Sequence, residues 1–242
     1  MSFKTTIRSA LHMLGLDIHR YVPPVSRSLS PLVSSLHKFE IDLVLDVGAN
    51  QGQFASEIRR GGYTGNIVSF EPLSDAHSRL LQASDGDAKW DVYQRCALGD
   101  RNGGVEINIA GNSESRSILP MLESHLSAAP ESAYQGKEVV PIKTLDEAAG
   151  PYMKDKRAAF LKIDTQGFEW QVLDGARATL PHIKGILVEL SLVPLYEGQH
   201  MWREVIDRLE DEGFTLWAFT PVFSDQRLGR TLQVDGIFYR TS

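Results

Sequence analysis

The run Leu43-Val44-Leu45-Asp46-Val47-Gly48-Ala49-Asn50-Gln51-Gly52-Gln53-Phe54 constrains this chain more than any other stretch. Four apolar residues, Ile41, Leu43, Val44 and Leu45, open it, the pattern of a strand covered on both faces. Gly48 and Gly52 then permit backbone angles and close approaches that a Cβ would block. A helix starting after such a turn points its unpaired N–H groups at whatever lies there. The run reads as strand, glycine turn and first helical turn, the shape of a nucleotide-type site.

The side chains narrow the ligand. A dinucleotide turn needs a second glycine so that the backbone can approach a pyrophosphate. Asn50 holds that place here, and Asp46 stands just before the turn, where it would repel a phosphate. An acid at this point suits a ligand carrying an ammonium or a sulfonium. S-adenosylmethionine carries both and has no phosphate. A second apolar run, residues 66–70, ends in Glu71-Pro72. An acid at the end of the second strand, about twenty residues past the glycines, is placed to accept hydrogen bonds from ribose hydroxyls.

Length and charge exclude several classes. The chain has 242 residues, enough for one large α/β domain or a domain with a cap. Its net charge of −6 does not suit a broad nucleic-acid footprint. Cys96 is the single cysteine, so there is no intrachain disulfide and no cysteine cluster for zinc. Cys96 reads as a small packed residue rather than a nucleophile. No apolar run reaches the length of a membrane span, and the N-terminus lacks the apolar segment of a signal peptide. A cytoplasmic protein is expected.

Taken in order, residues 1–40 form a helical extension. Phe3, Ile7, Leu11, Leu14 and Leu16 recur near helical spacing, with Lys4, Arg8 and Arg20 on other faces. Pro23-Pro24 breaks the segment, and a second amphipathic piece spans about 30–39 with Pro31 in its first turn. Two helices packed on the domain are the simpler reading. A cap over the ligand site, or a weak contact with a membrane carrying a lipid-linked substrate, is the sharper one.

From residue 41 to 242, strand and helix alternate, the pattern of a doubly wound, mostly parallel α/β sheet. Helices are expected over about 52–60 and 74–82, the latter capped by Ser74, and a third strand over 90–95. Residues 96–100 then fall at the carboxyl edge of the sheet, beside an adenine. Residues 101–145 read as an insertion with strands at 105–109 and 137–143, a polar loop at 111–117 and a short helix within 121–134. Thr144 and Glu147 have capping-box spacing. A helix ending at Gly213 and an antiparallel strand pair, 214–219 and 234–239, close the chain. The link between them, with Asp225, Gln226 and Arg227, is expected at the cofactor edge.

The strand Ala159–Ile163 ends at Asp164, and a helix is expected to run to about Arg177. Ligands of open α/β sheets bind outside the carboxyl ends of the strands, so Asp164 belongs to a site. Glu189 lies in the same way near the end of the next strand. Two carboxylates there would raise one pKa and favour a general base, or would hold a cation. His200, in the loop that follows, is a third candidate base. His182 precedes its strand and falls at the opposite edge. Glu169 suits the first turn of the helix after Asp164.

Leu45-Asp46-Val47-Gly48-Ala49-Asn50-Gln51-Gly52, Phe70-Glu71-Pro72, Thr144-Leu145-Asp146 and Leu161-Lys162-Ile163-Asp164-Thr165-Gln166-Gly167-Phe168-Glu169, in this order, resemble the FkbM family of S-adenosylmethionine-dependent O-methyltransferases. The resemblance covers about 41–240. It implies a Rossmann-like class I methyltransferase sheet of seven strands and methyl transfer to hydroxyls of sugars, polyketides or glycolipids. By matching position, Asp46, Gly48, Asn50 and Gly52 would line the methionine end of the cofactor and Glu71 would hold the ribose. Phe54, Pro72, Ala97 and Asp164 flank these positions and complete the expected cofactor set. Gln166 stands where the family usually has Glu, which removes a negative charge beside Asp164. A divalent cation is compatible with the carboxylates but is not indicated. A methyltransferase-fold scaffold without turnover and a nucleotide-dependent oxidoreductase are the competing readings; Asn50 and the acidic turn speak against the second.

Overall fold

The computed structural model describes residues 24–112, 115–154 and 158–241. The first amphipathic segment of the expected extension lies outside these residues. Helix α1 (Pro24–Lys38) leads into β1 (Leu43–Val47), α2 (Gln53–Arg60), β2 (Asn66–Phe70), α3 (Ser74–Ser84) and β3 (Trp90–Val92). There follow β4 (Ala97–Leu98), β5 (Gly103–Ala110), α4 (Glu123–Ala128), β6 (Tyr134–Lys143) and α5 (Leu145–Met153). The chain closes with β7 (Ala159–Ile163), α6 (Glu169–Asp174), β8 (Ile183–Ser191), α7 (Trp202–Asp211), β9 (Thr215–Asp225) and β10 (Arg230–Tyr239).

Seven strands form one sheet in the order β3-β2-β1-β7-β8-β10-β9. All neighbours are parallel except β10, which runs antiparallel to both β8 and β9. β1 is buried along its whole length because β2 and β7 flank it and both of its faces are covered. Leu43, Leu45 and Val47 pack with Leu161, Ile163 and Val188 against Leu145, Val172 and Leu209 of the helices. On the opposite face Val44, Phe160 and Leu187 meet Leu36 of α1 and Ile58 of α2. Each such buried side chain contributes about 1.5–3 kcal/mol. α1 is held in the same way, and Ser35 Oγ lies 2.7 Å from the hydroxyl of Tyr239.

The register lines up the strand ends. Ile163 pairs with Val188, so the next residues, Asp164 and Glu189, emerge side by side. Glu189 pairs with Asp235 of β10, and Asp235 with Thr220 of β9. Side chains in one row across a sheet point to the same face. Three carboxylates from β7, β8 and β10 thus share one face at the carboxyl edge. Over this edge lies a second sheet, β4-β6-β5, whose Ile107, Val140 and Ile142 pack on Leu73, Ala76 and Phe168.

Several local expectations need correction. Ser74 is the first helical residue and not a cap; its N–H and hydroxyl bond Glu138, and Leu73 takes the N-cap place. Pro31 lies inside α1, because the helix starts about two turns earlier, at Pro24. β3 stops at Val92, since its pairing with β2 ends there. α6 stops at Asp174, where Gly175 packs too closely on the backbone of Gly99 to admit a side chain. Only half of the capping box forms: Glu147 N–H reaches Thr144 Oγ1, but the Glu147 carboxylate binds Lys143 and Asn102. The link expected at 220–232 is mostly strand, with its turn at 226–229. Asp225 folds that turn by accepting from the N–H groups of Arg227 and Leu228, and Arg227 reaches Ser127.

Candidate active site

The turn after β1 is built by close contact. Gly48 has φ 74°, and a Cβ there would lie 1.8 Å from the carbonyl oxygen of Asp164. Only glycine permits this approach, which brings the ends of β1 and β7 together. Asn50 takes the left-handed region at φ 49°, and its N–H donates to Glu71 Oε2 at 2.9 Å. Glu71 Oε1 accepts from Leu73 N–H at 2.9 Å. One carboxylate therefore ties the first turn to the second. Burial pushes Glu71 up to about 7, against the pull of these two N–H groups.

A cavity of about 670 Å³ opens along the strand ends, within the roughly 300–1,000 Å³ usual for small-ligand sites. One half is lined by Gly48, Ala49, Asn50, Phe54, Glu71 and Pro72, with Ala97 and Leu98 forming an apolar wall. The other half is lined by Asp164, Gln166, Glu189, Gln233 and Asp235, by Thr220–Phe223 of β9, and by Ser115, Ser117 and His125 of the insertion. Ser115 and Ser117 of the polar loop therefore face the site.

The carboxylates are held by amides. Gln166 Nε2 donates to Asp164 Oδ1 and to Glu189 Oε2, both at 2.9 Å, and Gln166 Oε1 accepts from the Tyr196 hydroxyl at 2.8 Å. Gln233 Nε2 gives Glu189 Oε2 a second bond at 2.8 Å. Burial first, then Asp164, pushes Glu189 well above the ordinary carboxylate range. The same causes push Asp235 up to about 7. Glu169 also rises to about 7 by burial; its Oε1 accepts from Thr165 N–H, Thr165 Oγ1 and Gly167 N–H and so shapes the loop after β7.

Asp46 does not line the cavity. It is fully buried beneath the turn, 3.3 Å from Lys162 Nζ, and accepts from Ser69 Oγ. Lys162 also lies 3.5 Å from Asp164 and donates to the Gly48 carbonyl at 2.8 Å. Burial alone would lower its pKa, but Asp46 and then Asp164 more than offset this and hold the ammonium above its ordinary value. The expectation that Asp46 meets a ligand cation is corrected: its charge is spent on Lys162. Gly52 is also turned away, onto Trp90 and Leu80. His200 stacks on Trp170 at 3.9 Å and meets Glu204, outside the cavity, so it is not positioned as a base.

Gly48, Asn50, Phe54, Glu71, Pro72, Ala97, Asp164 and Glu189 are brought together as expected. Lys162, Gln233 and Asp235 were not among the candidates. A lysine inside the apolar strand Ala159–Ile163, and an acid inside β10, were the available signals. Cys96 is buried, and burial pushes its thiol up to about 11, so it is a packed residue.

The profile of the methyltransferase FkbM domain family matches residues 46–216. The chain belongs to the FkbM methyltransferase family. It is similar to 2-O-methyltransferase NoeI of Sinorhizobium fredii (strain NBRC 101917 / NGR234), 27% identical over 204 residues, covering 81% of this chain and 77% of that protein. It is also similar to methyltransferase sdnD of Sordaria araneosa, 26% identical over 195 residues, covering 72% and 73% of the two chains. Among solved structures it is similar to magnesium protoporphyrin IX methyltransferase (ChlM) from Synechocystis PCC 6803 with bound SAM, at a TM-score of 0.48 and 11% identity, over 100% of this chain and 98% of that one. This FkbM protein is an S-adenosylmethionine-dependent methyltransferase.

The residues present fit that cofactor. Asn50 in place of a glycine opposes a pyrophosphate, and Glu71 at the end of the second strand is placed for a ribose. Carboxylates outnumber Lys162 and Arg116 on the cavity wall, which favours a sulfonium. No group of three or more potential metal ligands is found among the described residues, and none of their helices is long and apolar enough to cross a membrane.

Proposed function

We propose that this methyltransferase methylates a hydroxyl of a sugar-containing acceptor, in a glycolipid, polysaccharide or other glycosylated product. The observation that carries the reading is the row of Asp164, Glu189 and Asp235 facing one cavity. Ionised carboxylates accept hydrogen bonds from polyols, and one of them can take a hydroxyl proton. The relative named 2-O-methyltransferase supports oxygen as the methylated atom. In this reading residues 1–40 are an extension and 41–242 the methyltransferase domain.

S-adenosylmethionine supplies an activated methyl group on a sulfonium. Glu71 would accept from its ribose hydroxyls, the Gly48–Asn50 turn and Asp164 would hold the methionine end, and Ala97 and Pro72 would flank the adenine. With that donor bound, Glu189 would take the proton of the acceptor hydroxyl as that oxygen accepts the methyl group, the sulfur keeping the bond pair as a neutral thioether. Holding the oxygen in line supplies several kcal/mol of the rate. Turnover on extracted cellular glycans, read as a mass gain of one methylene, tests the acceptor class. Calorimetry with S-adenosylmethionine and NAD tests the donor, and binding of NAD alone would reject it.

Two further outcomes follow from Glu71. Glu71→Gln is expected to weaken S-adenosylmethionine about ten- to hundredfold, since hydrogen bonds to a charged group are worth roughly 1.5–3 kcal/mol. An unchanged Kd by calorimetry removes Glu71 from the ribose site. Donation from ribose favours the ionised form, so binding expels a proton and affinity rises with pH through about 7. The limit is about tenfold per pH unit for one proton. Stability of the free protein runs the other way. Glu71, Glu169 and Asp235 are raised on folding, so their contribution is full below about 4.5 and lost as pH rises through about 7. Thermal melts and titrations at pH 6 and 8 read both signs; flat profiles would contradict them.

A further inference from the structure

The insertion brings to the cavity a pair of side chains that the chemistry above leaves idle. Ser115 is buried and lines the cavity, and its N–H donates to Asn112 Oδ1 at 2.9 Å, which fixes its place in the loop. His125 of α4 is 2% exposed and packs against the rings of Tyr196 and Phe223 at 5.3 and 5.1 Å. His125 Nε2 lies 3.3 Å from Ser115 Oγ, while Nδ1 is buried with no hydrogen-bond partner among the described residues.

Burial pulls the imidazole down to about 4, and Glu131, the carboxylate acting on it, does not reverse this. The ring is neutral near pH 7 and carries one proton. On Nδ1 that proton would be a buried donor with no acceptor, the rarer defect in folded proteins. On Nε2 it is donated to Ser115 Oγ. The serine oxygen then accepts from histidine, and its own hydrogen is free to point at a ligand. Ser117 differs: its hydroxyl donates to the Gln166 carbonyl at 2.6 Å and accepts from Leu119 N–H.

We propose that Ser115 donates a hydrogen bond to an oxygen of the acceptor beside the methylated hydroxyl, and that His125 is the positioning residue that turns the serine hydroxyl toward it. This rests on the sugar-acceptor reading. A polyoxygenated acceptor meets the donor; an acceptor with no oxygen at that place leaves it buried and unpaired, which is a means of selection.

The test uses the full chain, labelled with 15N, and histidine side-chain NMR at pH 7, with His125→Gln to assign the resonance. The expected ring is the Nε2–H tautomer, with an Nε2 signal that moves in Ser115→Ala. The second readout is methyl transfer to a panel of methyl glycosides of the common hexoses and 6-deoxyhexoses. Ser115→Ala is expected to raise KM about threefold to tenfold, the worth of one neutral hydrogen bond, and to change kcat less. His125→Phe should behave like Ser115→Ala, and His125→Gln, which keeps a donor, should stay near wild type. An Nδ1–H ring, or an unchanged KM in Ser115→Ala, overturns the proposal while the sugar reading stands. If the wild type binds S-adenosylmethionine but methylates no glycoside, the sugar reading has failed and the role of Ser115 toward a sugar falls with it.

Discussion

Lys162→Met is expected to cost the folded protein about 3–5 kcal/mol, the usual penalty for removing one member of a buried ion pair. At this chain length, that lowers the melting temperature by about 6–20 °C. The reason is the neighbour left behind. Asp46 is fully buried at 3.3 Å from Lys162, and without that ammonium its carboxylate keeps the Ser69 hydroxyl. Methionine matches the length of lysine, so the loss is of charge rather than volume.

Two controls separate this account from loss of packing. Without Lys162, burial pushes Asp46 up against the Ser69 hydroxyl alone. Its folded pKa, already raised by burial, then rises further above the unfolded one, so the defect should be small at pH 4–5 and grow as pH rises toward 8. Asp46→Leu combined with Lys162→Met should recover much of the loss, because an apolar pair of similar volume removes the stranded charge. Urea denaturation at both pH values reads each effect. A deficit equal at pH 5 and pH 8 would show that the lysine stem, not its charge, supports the turn.

This pair also marks what could be read from the residues alone. Leu43–Val47, Gly48 and Glu71 were legible because each is a local statement: an apolar run, a backbone that needs no Cβ, an acid at a strand end. Asp164 and Glu189 were legible because the carboxyl edge of a parallel sheet is where ligands bind. Asp46 was misassigned because its partner comes from a strand far along the chain, and only pairing of β1 with β7 brings Lys162 beneath the turn. Gly52 looked like a ligand position, but its contact is Trp90. His200 looked accessible from its loop and is instead claimed by Trp170. Asp235, Gln233 and the Ser115–His125 pair depend on register across β8 and β10 and on how the second sheet docks, neither of which has a local signature. Gln166 was read as a missing charge. Its amide in fact joins Asp164 to Glu189, a role that glutamate, which has no N–H to give, does not fill.

Glu189→Gln is expected to lower kcat about 10²–10⁴-fold, the contribution of a placed general base, with affinity for S-adenosylmethionine close to wild type. Glu189 suits the task better than its neighbours. Its Oε2 already accepts from Gln166 and Gln233, which fixes the carboxylate and leaves Oε1 for a hydroxyl. Burial, with Asp164 beside it, raises its proton affinity well above that of an ordinary carboxylate, the direction a general base needs. Because the base must be ionised, the wild-type rate should fall as pH drops below its raised pKa, and Glu189→Gln should lose that acidic limb. Asp164→Asn is the comparison: it keeps the Gln166 contact and should act more on cofactor affinity than on the limb. His200→Ala should leave kcat near wild type, since that ring lies outside the cavity. If Asp164→Asn removes the acidic limb and Glu189→Gln keeps it, the proton goes to Asp164. In that case Glu189 serves through Gln166, holding its neighbour in place.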